Sequence, residues 1–267
     1  TFREAGARLE VIDPSVLSSR FDYLSAADSD QVIWYEPGAG VAHPGRTLAS
    51  LADFVRRRGG RIVEGCPVRE ARVESGGGWQ VTTPGAELSV GALVLAAGPW
   101  SARVCRELGG GELPVRPVRV QVLLLQRPPG SPVDPVTFAD TGLDLYARHW
   151  PGEVSQVGFL STFEQVPLAD ADDFDESVRP DLVRLLRERF ERRMPACAGS
   201  FVVGHRPAMY AVTPDENFIL GRGPVENLYL ATGGSGHAFK FAPLIGQQML
   251  WVIALRWKQM RNRLSRI

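Results

Sequence analysis

Asn227-Leu228-Tyr229-Leu230-Ala231-Thr232-Gly233-Gly234-Ser235-Gly236-His237-Ala238-Phe239-Lys240-Phe241 reads as a strand that runs through a glycine-rich turn into a helix. Glycines at 233, 234 and 236 bare the backbone N–H groups where the predicted helix begins, and a helix entrance favours negative charge. The spacing is not G-x-G-x-x-G, and no Lys-Ser/Thr pair follows as in a phosphate-binding loop. His237 and Lys240 fall in the predicted first turn, where the helix dipole disfavours cations. That placement points to a recruited anion; two side chains facing solvent is the plainer alternative.

Two upstream stretches belong with this one. Ala92-Leu93-Val94-Leu95-Ala96-Ala97-Gly98-Pro99-Trp100 reads as a strand buried on both faces, ending in small residues that let a ligand approach the backbone. Residues 205–221 read as strand, Thr213-Pro214-Asp215 turn and second strand, which places Arg206 and Tyr210 beside the glycine loop. Arg206 could grip a carboxylate in a bidentate fork or pair with a nearby acid. A hydrolase built on Ser235 and His237 is opposed by the spacing. There is no G-x-S-x-G elbow, and residues two apart on a helix do not face each other.

Working outward, the chain alternates strands and helices. A short strand over 31–35 is stopped by Pro37-Gly38-Ala39-Gly40. Leu48, Leu51, Phe54 and Val55 recur at helical spacing, with Gly59-Gly60 as the stop. A strand over 61–64 and a meander over 68–73 and 79–83 follow. Alternation over 115–125 marks a half-buried antiparallel strand; two or three more strands lie over 138–163, and a helix covers about 180–194. Strands over 202–210, 218–220 and 227–232 lead to the closing helix. Phe2, Ala5, Leu9 and Val11 fall at helical spacing before Asp13-Pro14. The predicted fold class is mixed α/β and α+β, with an antiparallel sheet and one helix in the middle.

Composition bounds the rest. The 267 residues are 44% hydrophobic and 22% charged, enough for a core and too weakly charged for a disordered chain. Thirty basic residues balance thirty acidic ones, so no overall field steers the chain to nucleic acid. No uninterrupted apolar run approaches a membrane span. The tail after Met249 is apolar and then basic (Arg256, Lys258, Arg261, Arg263, Arg266). It is expected to be a packed terminal helix, with contact to a membrane surface as the alternative. Cys66, Cys105 and Cys197 are unclustered, which argues against disulfides and zinc and suggests a cytoplasmic setting. His43, His149 and His205 have no metal-ligand spacing. The chain opens at Thr1-Phe2-Arg3-Glu4 without a leader pattern, and an upstream segment is expected to be missing.

The Val-Leu-Ala-Ala-Gly-Pro-Trp strand, Arg206-Pro207 to Asp215, Phe218 to Gly221 and the Gly-Gly-Ser-Gly-His-Ala-Phe-Lys loop stand in an order and spacing that resembles FAD-dependent amine oxidases. The chain is similar to the sarcosine, N-methyltryptophan and pipecolate oxidase branch of the D-amino-acid oxidase superfamily, over about 5–248. The resemblance implies an incomplete FAD-binding, glutathione-reductase-like Rossmann domain interleaved with an antiparallel-sheet substrate domain. Residues 1–30 would be a connecting or substrate-domain segment, 31–110 and 211–248 parts of the FAD-binding domain, 111–210 the substrate domain and 249–267 a basic amphipathic tail.

The implied activity is oxidation of the C–N bond of a secondary amine or amino acid, with O2 or another acceptor taking the electrons. The implied alternative is an inactive relic serving as a binding or structural subunit. By resemblance Lys240 binds the substrate carboxylate, Tyr146 closes over the substrate, and Gly234, Gly236 and His237 line the flavin. Gly233, Ser235 and Phe239 belong to the same loop. Val68 would touch the adenine, Ala97 and Gly98 would lie near the pyrophosphate, and Trp100 would be a further cofactor-binding residue. Three departures stand out. Ala208 replaces the cysteine of covalent-flavin members, so FAD would be non-covalent. Gln156 stands where those oxidases carry an oxygen-activating lysine, and Leu160 replaces a histidine.

Overall fold

The structure, a computed structural model, describes residues 8–25, 31–161 and 166–264 together with Glu4 and Gly6, with side chains in the last helix described as far as Leu255. The described chain begins with β1 (Glu10–Ile12), α1 (Leu17–Arg20), β2 (Ile33–Tyr35) and α2 (Pro44–Arg57). Four short strands follow, β3 (Glu70–Val73), β4 (Trp79–Thr82), β5 (Glu87–Val90) and β6 (Leu93–Leu95), then α3 (Ser101–Glu107). The middle holds β7 (Arg116–Gln126), β8 (Phe138–Asp140), β9 (Leu145–Trp150), β10 (Val154–Gly158), β11 (Val166–Pro167) and α4 (Pro180–Arg193). The chain then runs through β12 (Phe201–Val212), β13 (Ile219–Arg222), β14 (Leu228–Thr232) and α5 (Ala242–Leu264). It divides into two compact units.

The first unit comprises Thr1–Val41, Arg119–Val166 and Asp175–Ala208. Its sheet places β10 antiparallel to both β7 and β9, with β8 beyond β9. Alternate residues of these strands (Leu123, Leu125, Leu145, Ala147, Val157) form one core with Leu182, Leu186 and Phe190 of α4. The same alternation puts Tyr146, Arg148, Gln156 and Gly158 on the opposite face. A buried ion pair, Arg193 Nε to Asp140 Oδ2 at 2.6 Å, ties the end of α4 to β8.

The second unit comprises Ala42–Val118, Pro167–Phe174 and Met209–Ile267. Its sheet runs β13-β14-β6, with β14 antiparallel to β13 and parallel to β6. The antiparallel meander β3-β4-β5 adds Trp79 and Val81 to a core shared with Leu95, Cys105, Leu228 and Leu230. The Trp79 indole N–H donates to the Glu226 carbonyl at 3.1 Å, so even this fully buried ring satisfies its polar atom.

Several sequence expectations need correction. Residues 61–64 form no strand; with no neighbouring strand to pair with among the described residues, Ile62 and Val63 stay exposed. The apolar run ending at Gly98 is two strands, and Val94 in the second is 44% exposed rather than buried on both faces. Residues 117–121 of β7 are buried on both sides, where alternation predicted a half-buried strand. Leu9 and Val11 lie in or beside β1, not in a helix; Phe2 and Ala5 are outside the described residues.

The exclusion of a spanning helix also changes. Ala238–Leu255 is continuously helical, with a mean hydropathy of 1.3 and 6% of it buried, so by length and composition it is long enough to cross a membrane. Counting uninterrupted apolar residues missed it because Lys240, Gly246, Gln247 and Gln248 interrupt the run without lowering its average far.

Candidate functional site

In the second unit β6 and β14 lie side by side and parallel, so their C-terminal ends emerge at the same edge. That edge is where open α/β sheets accept ligands. The chain leaves β6 through Ala96-Ala97-Gly98 and β14 through the glycine loop, and both exits line a cavity of about 340 Å³. Tyr210, Phe218, Leu220, Phe239 and Ile245 supply much of the remaining wall, and no lining residue is charged.

The loop is built from backbone conformations that side chains resist. Gly233 (φ 75°) and Gly236 (φ 84°) are left-handed. A Cβ on Gly236 would stand 2.5 Å from the Tyr210 ring, and one on Gly233 would stand 2.8 Å from Thr213 Cγ2. Ser235 also has positive φ, 43°, and is held by its partners. Its N–H donates to the Ala211 carbonyl at 2.9 Å, and its Oγ accepts from the Thr213 N–H at 3.3 Å. Thr213 Oγ1 in turn donates to the Asn217 carbonyl at 2.8 Å, closing the predicted Thr-Pro-Asp turn. Beneath the loop, Thr232 Oγ1 donates to Ser101 Oγ at 2.8 Å.

His237 turns its Nδ1 toward the Ser235 carbonyl at 3.3 Å and packs its ring on Phe218, centroids 5.1 Å apart. Ser235 and His237 side chains thus serve the loop separately and form no nucleophile–base pair. The helix also starts later than the sequence suggested. A 3-10 turn spans Ala238–Phe241, and α5 begins at Ala242, where Pro243 suits the first helical turn. His237 stands at the N-cap position of that 3-10 turn without a side-chain capping hydrogen bond, and Lys240 is exposed within the turn, its Nζ 5.3 Å from the Phe241 centroid.

The other predicted site residues separate. Gly98, Gly233, Gly234, Ser235, Gly236 and Phe239 line the cavity; Val68, Ala97, Trp100, His237 and Lys240 do not. Val68 is exposed ahead of β3, and Ala97 packs on the core. The Trp100 indole donates to Asp172 Oδ1 at 2.8 Å. That bond adds to the larger effect of Arg103 in holding the Asp172 carboxyl below the ordinary carboxylate range. Arg206 is exposed and belongs to the first unit, while Tyr210, expected beside the loop with it, is indeed there.

Tyr146 and Gln156 also belong to the first unit, on adjacent strands. A Cβ on Gly158 would stand 2.6 Å from the Tyr146 hydroxyl, so this glycine makes room for the ring. Directly opposite Gln156 stands Arg148, which the sequence reading missed. Its guanidinium carbon lies 5.5 Å from the Tyr146 centroid, and its Nε is buried without a hydrogen-bond partner among the described residues. Only strand register could have found it. A lysine at 156 would face this arginine, like charge against like, whereas glutamine tolerates it.

Over residues 2–250 the chain matches the family described as DAO, FAD dependent oxidoreductase. It belongs to that family. It is 25% identical over 256 residues to the monomeric sarcosine oxidase of Streptomyces avermitilis, covering 89% of this chain and 63% of that protein. It is 31% identical over 219 residues to human peroxisomal sarcosine oxidase, covering 78% of this chain and 55% of that protein. Among solved structures, L-proline dehydrogenase from P. horikoshii superposes with a TM-score of 0.82 at 20% identity, covering 94% of this chain and 66% of that one. Glycine oxidase from Geobacillus kaustophilus gives 0.79 at 23%, covering 95% and 65%. These two show a shared fold. The chain spans less than two thirds of the length of the sarcosine oxidases it matches.

For a member of the FAD dependent oxidoreductases, the cavity fits one part of the cofactor. An uncharged, largely apolar wall with a glycine floor suits a flat ring system. It offers no cationic side chain to a pyrophosphate. Ala208 has no group that could bond a flavin covalently.

Proposed function

We propose that this chain serves FAD-dependent oxidation of the C–N bond of a small secondary amine or amino acid, with FAD held non-covalently. The observation that carries the reading is the cavity where the parallel strands β6 and β14 end, with its backbone opened by Gly98 and Gly233–Gly236. Membership of the family, and relatives named as sarcosine oxidases, support it. FAD, when bound, supplies a two-electron acceptor that turns an amine into an imine and passes the electrons to O2 or another acceptor.

The chain's own groups bind and orient. Lys240, on the turn that follows the glycine loop, offers an exposed ammonium to a substrate carboxylate. In the first unit the Arg148 guanidinium carbon lies 5.5 Å from the Tyr146 centroid, a cation–ring contact that holds the tyrosine in place. Tyr146, with Gly158 cleared beneath it, covers an apolar part of the substrate and excludes water.

The test is a titration of the purified chain with FAD, followed by an aerobic peroxide assay over sarcosine, other N-methyl amino acids, proline and neutral N-methyl amines. Bound flavin with turnover of a carboxylate-bearing amine is the expected result; failure to bind FAD overturns the reading for this chain. With turnover in hand, Lys240→Ala should raise KM for carboxylate-bearing substrates about tenfold or more and leave neutral amines nearly unchanged. Equal losses on both substrate classes would remove the carboxylate role.

A further inference from the structure

Arg127, the residue after β7, is 1% exposed, one of three arginines buried among the described residues. The other two are satisfied. Arg119 donates to the backbone carbonyls of Asp175 and Ser177, and Arg193 pairs with Asp140. Arg127 has far less. Its Nε donates to the Glu153 carbonyl at 3.2 Å, an oxygen that also takes its own backbone N–H at 2.8 Å. Its terminal nitrogens, Nη1 and Nη2, are sealed from solvent and meet no acceptor among the described residues. No carboxylate pairs with it there either.

The neighbours do not supply the missing charge. His149 feels the guanidinium and is pushed down to about 4, by burial first and Arg127 second, against the Val136 carbonyl. It is therefore neutral at physiological pH and adds no second cation. Burial pushes the Cys197 thiol up, and the opposing pull of Ser131 and Arg127 is smaller, so no thiolate balances the site. A guanidinium stays charged at every pH a protein survives, and a buried charge without a partner is costly. Water would complete the hydrogen bonds and leave the charge; an anion does both.

We infer that Arg127 anchors an internal site for a small monovalent anion of the halide class, held by Nη1 and Nη2 inside the first unit. Both nitrogens are buried from the surface, and of the anions that could join them a monatomic one needs the least room. The inference stands independently of the proposed oxidation.

The probe is chloride. The wild-type chain should broaden the 35Cl resonance above a buffer blank, Arg57→Met at an exposed ion pair should keep that excess width, and Arg127→Met should abolish it. No broadening by the wild type, or equal broadening by Arg127→Met, overturns the proposal. Should Arg127→Met fail to fold, wild-type crystals soaked in sodium bromide decide the matter. An anomalous peak beside Nη1 and Nη2 supports the site, and an ordered water alone, without anomalous signal, overturns it.

Discussion

Gly236 meets two separate demands, a left-handed backbone and an empty space against the Tyr210 ring. Gly59 meets only the first: its φ is 82° and an added Cβ would touch nothing within 4 Å. The pair separates conformational strain from steric displacement. Gly59→Ala should cost about 1 kcal/mol in stability, the backbone penalty alone. Gly236→Ala should cost more and weaken FAD binding about tenfold, because Tyr210 lines the cavity and must move. Thermal melts and a flavin fluorescence titration read the two effects, and equal behaviour of the two variants would show that the Tyr210 contact is irrelevant. His149 gives a second residue-scale expectation. Its folded value near 4 lies below the 6.5 of the unfolded chain, so between them the unfolded state binds the proton. The contribution is complete above pH 6.5 and is lost as pH falls toward 4, on the order of 2–3 kcal/mol. Urea midpoints at pH 7.5 and 4.5 should therefore differ by less in His149→Gln, and an unchanged difference would show that His149 is not the group responsible.

At the scale of elements, legibility followed how locally each element is specified. α4 could be read because its apolar stripe (Leu182, Leu186, Phe190) repeats at helical spacing and is the stripe that packs on the sheet. α2 could be read for the same reason, although its stripe faces solvent. Periodicity reports helix and cannot report what covers it. Residues 61–64 failed because a strand is a relation between two segments, and β-branched residues alone do not supply the second. The site shows the same division. The glycine loop was visible because Gly and Ser-Gly at fixed offsets are local backbone chemistry. Arg148 was invisible because it becomes a neighbour of Gln156 only through the register of β9 on β10. The later start of α5 turned on Pro243, a single residue whose preference for the first helical turn outweighed the apparent continuity from the loop.

At the scale of the whole molecule, two surface properties bear on how the chain behaves in solution. Formal net charge is zero, so copies do not repel one another at neutral pH. On α2, Leu48, Leu51, Phe54 and Val55 are 39–58% exposed along one stripe, and on α5 Leu244, Leu250, Trp251 and Leu255 are 51–64% exposed. Patches of that kind on a molecule without net charge drive association. The chain at pH 7 should therefore sediment as concentration-dependent oligomers and bind a hydrophobic dye such as ANS. Phe54→Glu places a charge in the middle of the α2 stripe without touching either core, because Phe54 is 49% exposed and belongs to neither cluster. It should reduce the oligomeric fraction several-fold and lower dye binding, with the melting temperature within about 2 °C of wild type. Leu250→Glu should act in the same direction from α5. If both variants sediment like the wild type, these stripes are not what the copies use, and if the wild type is a monomer that binds no dye, the exposed faces carry no association at all.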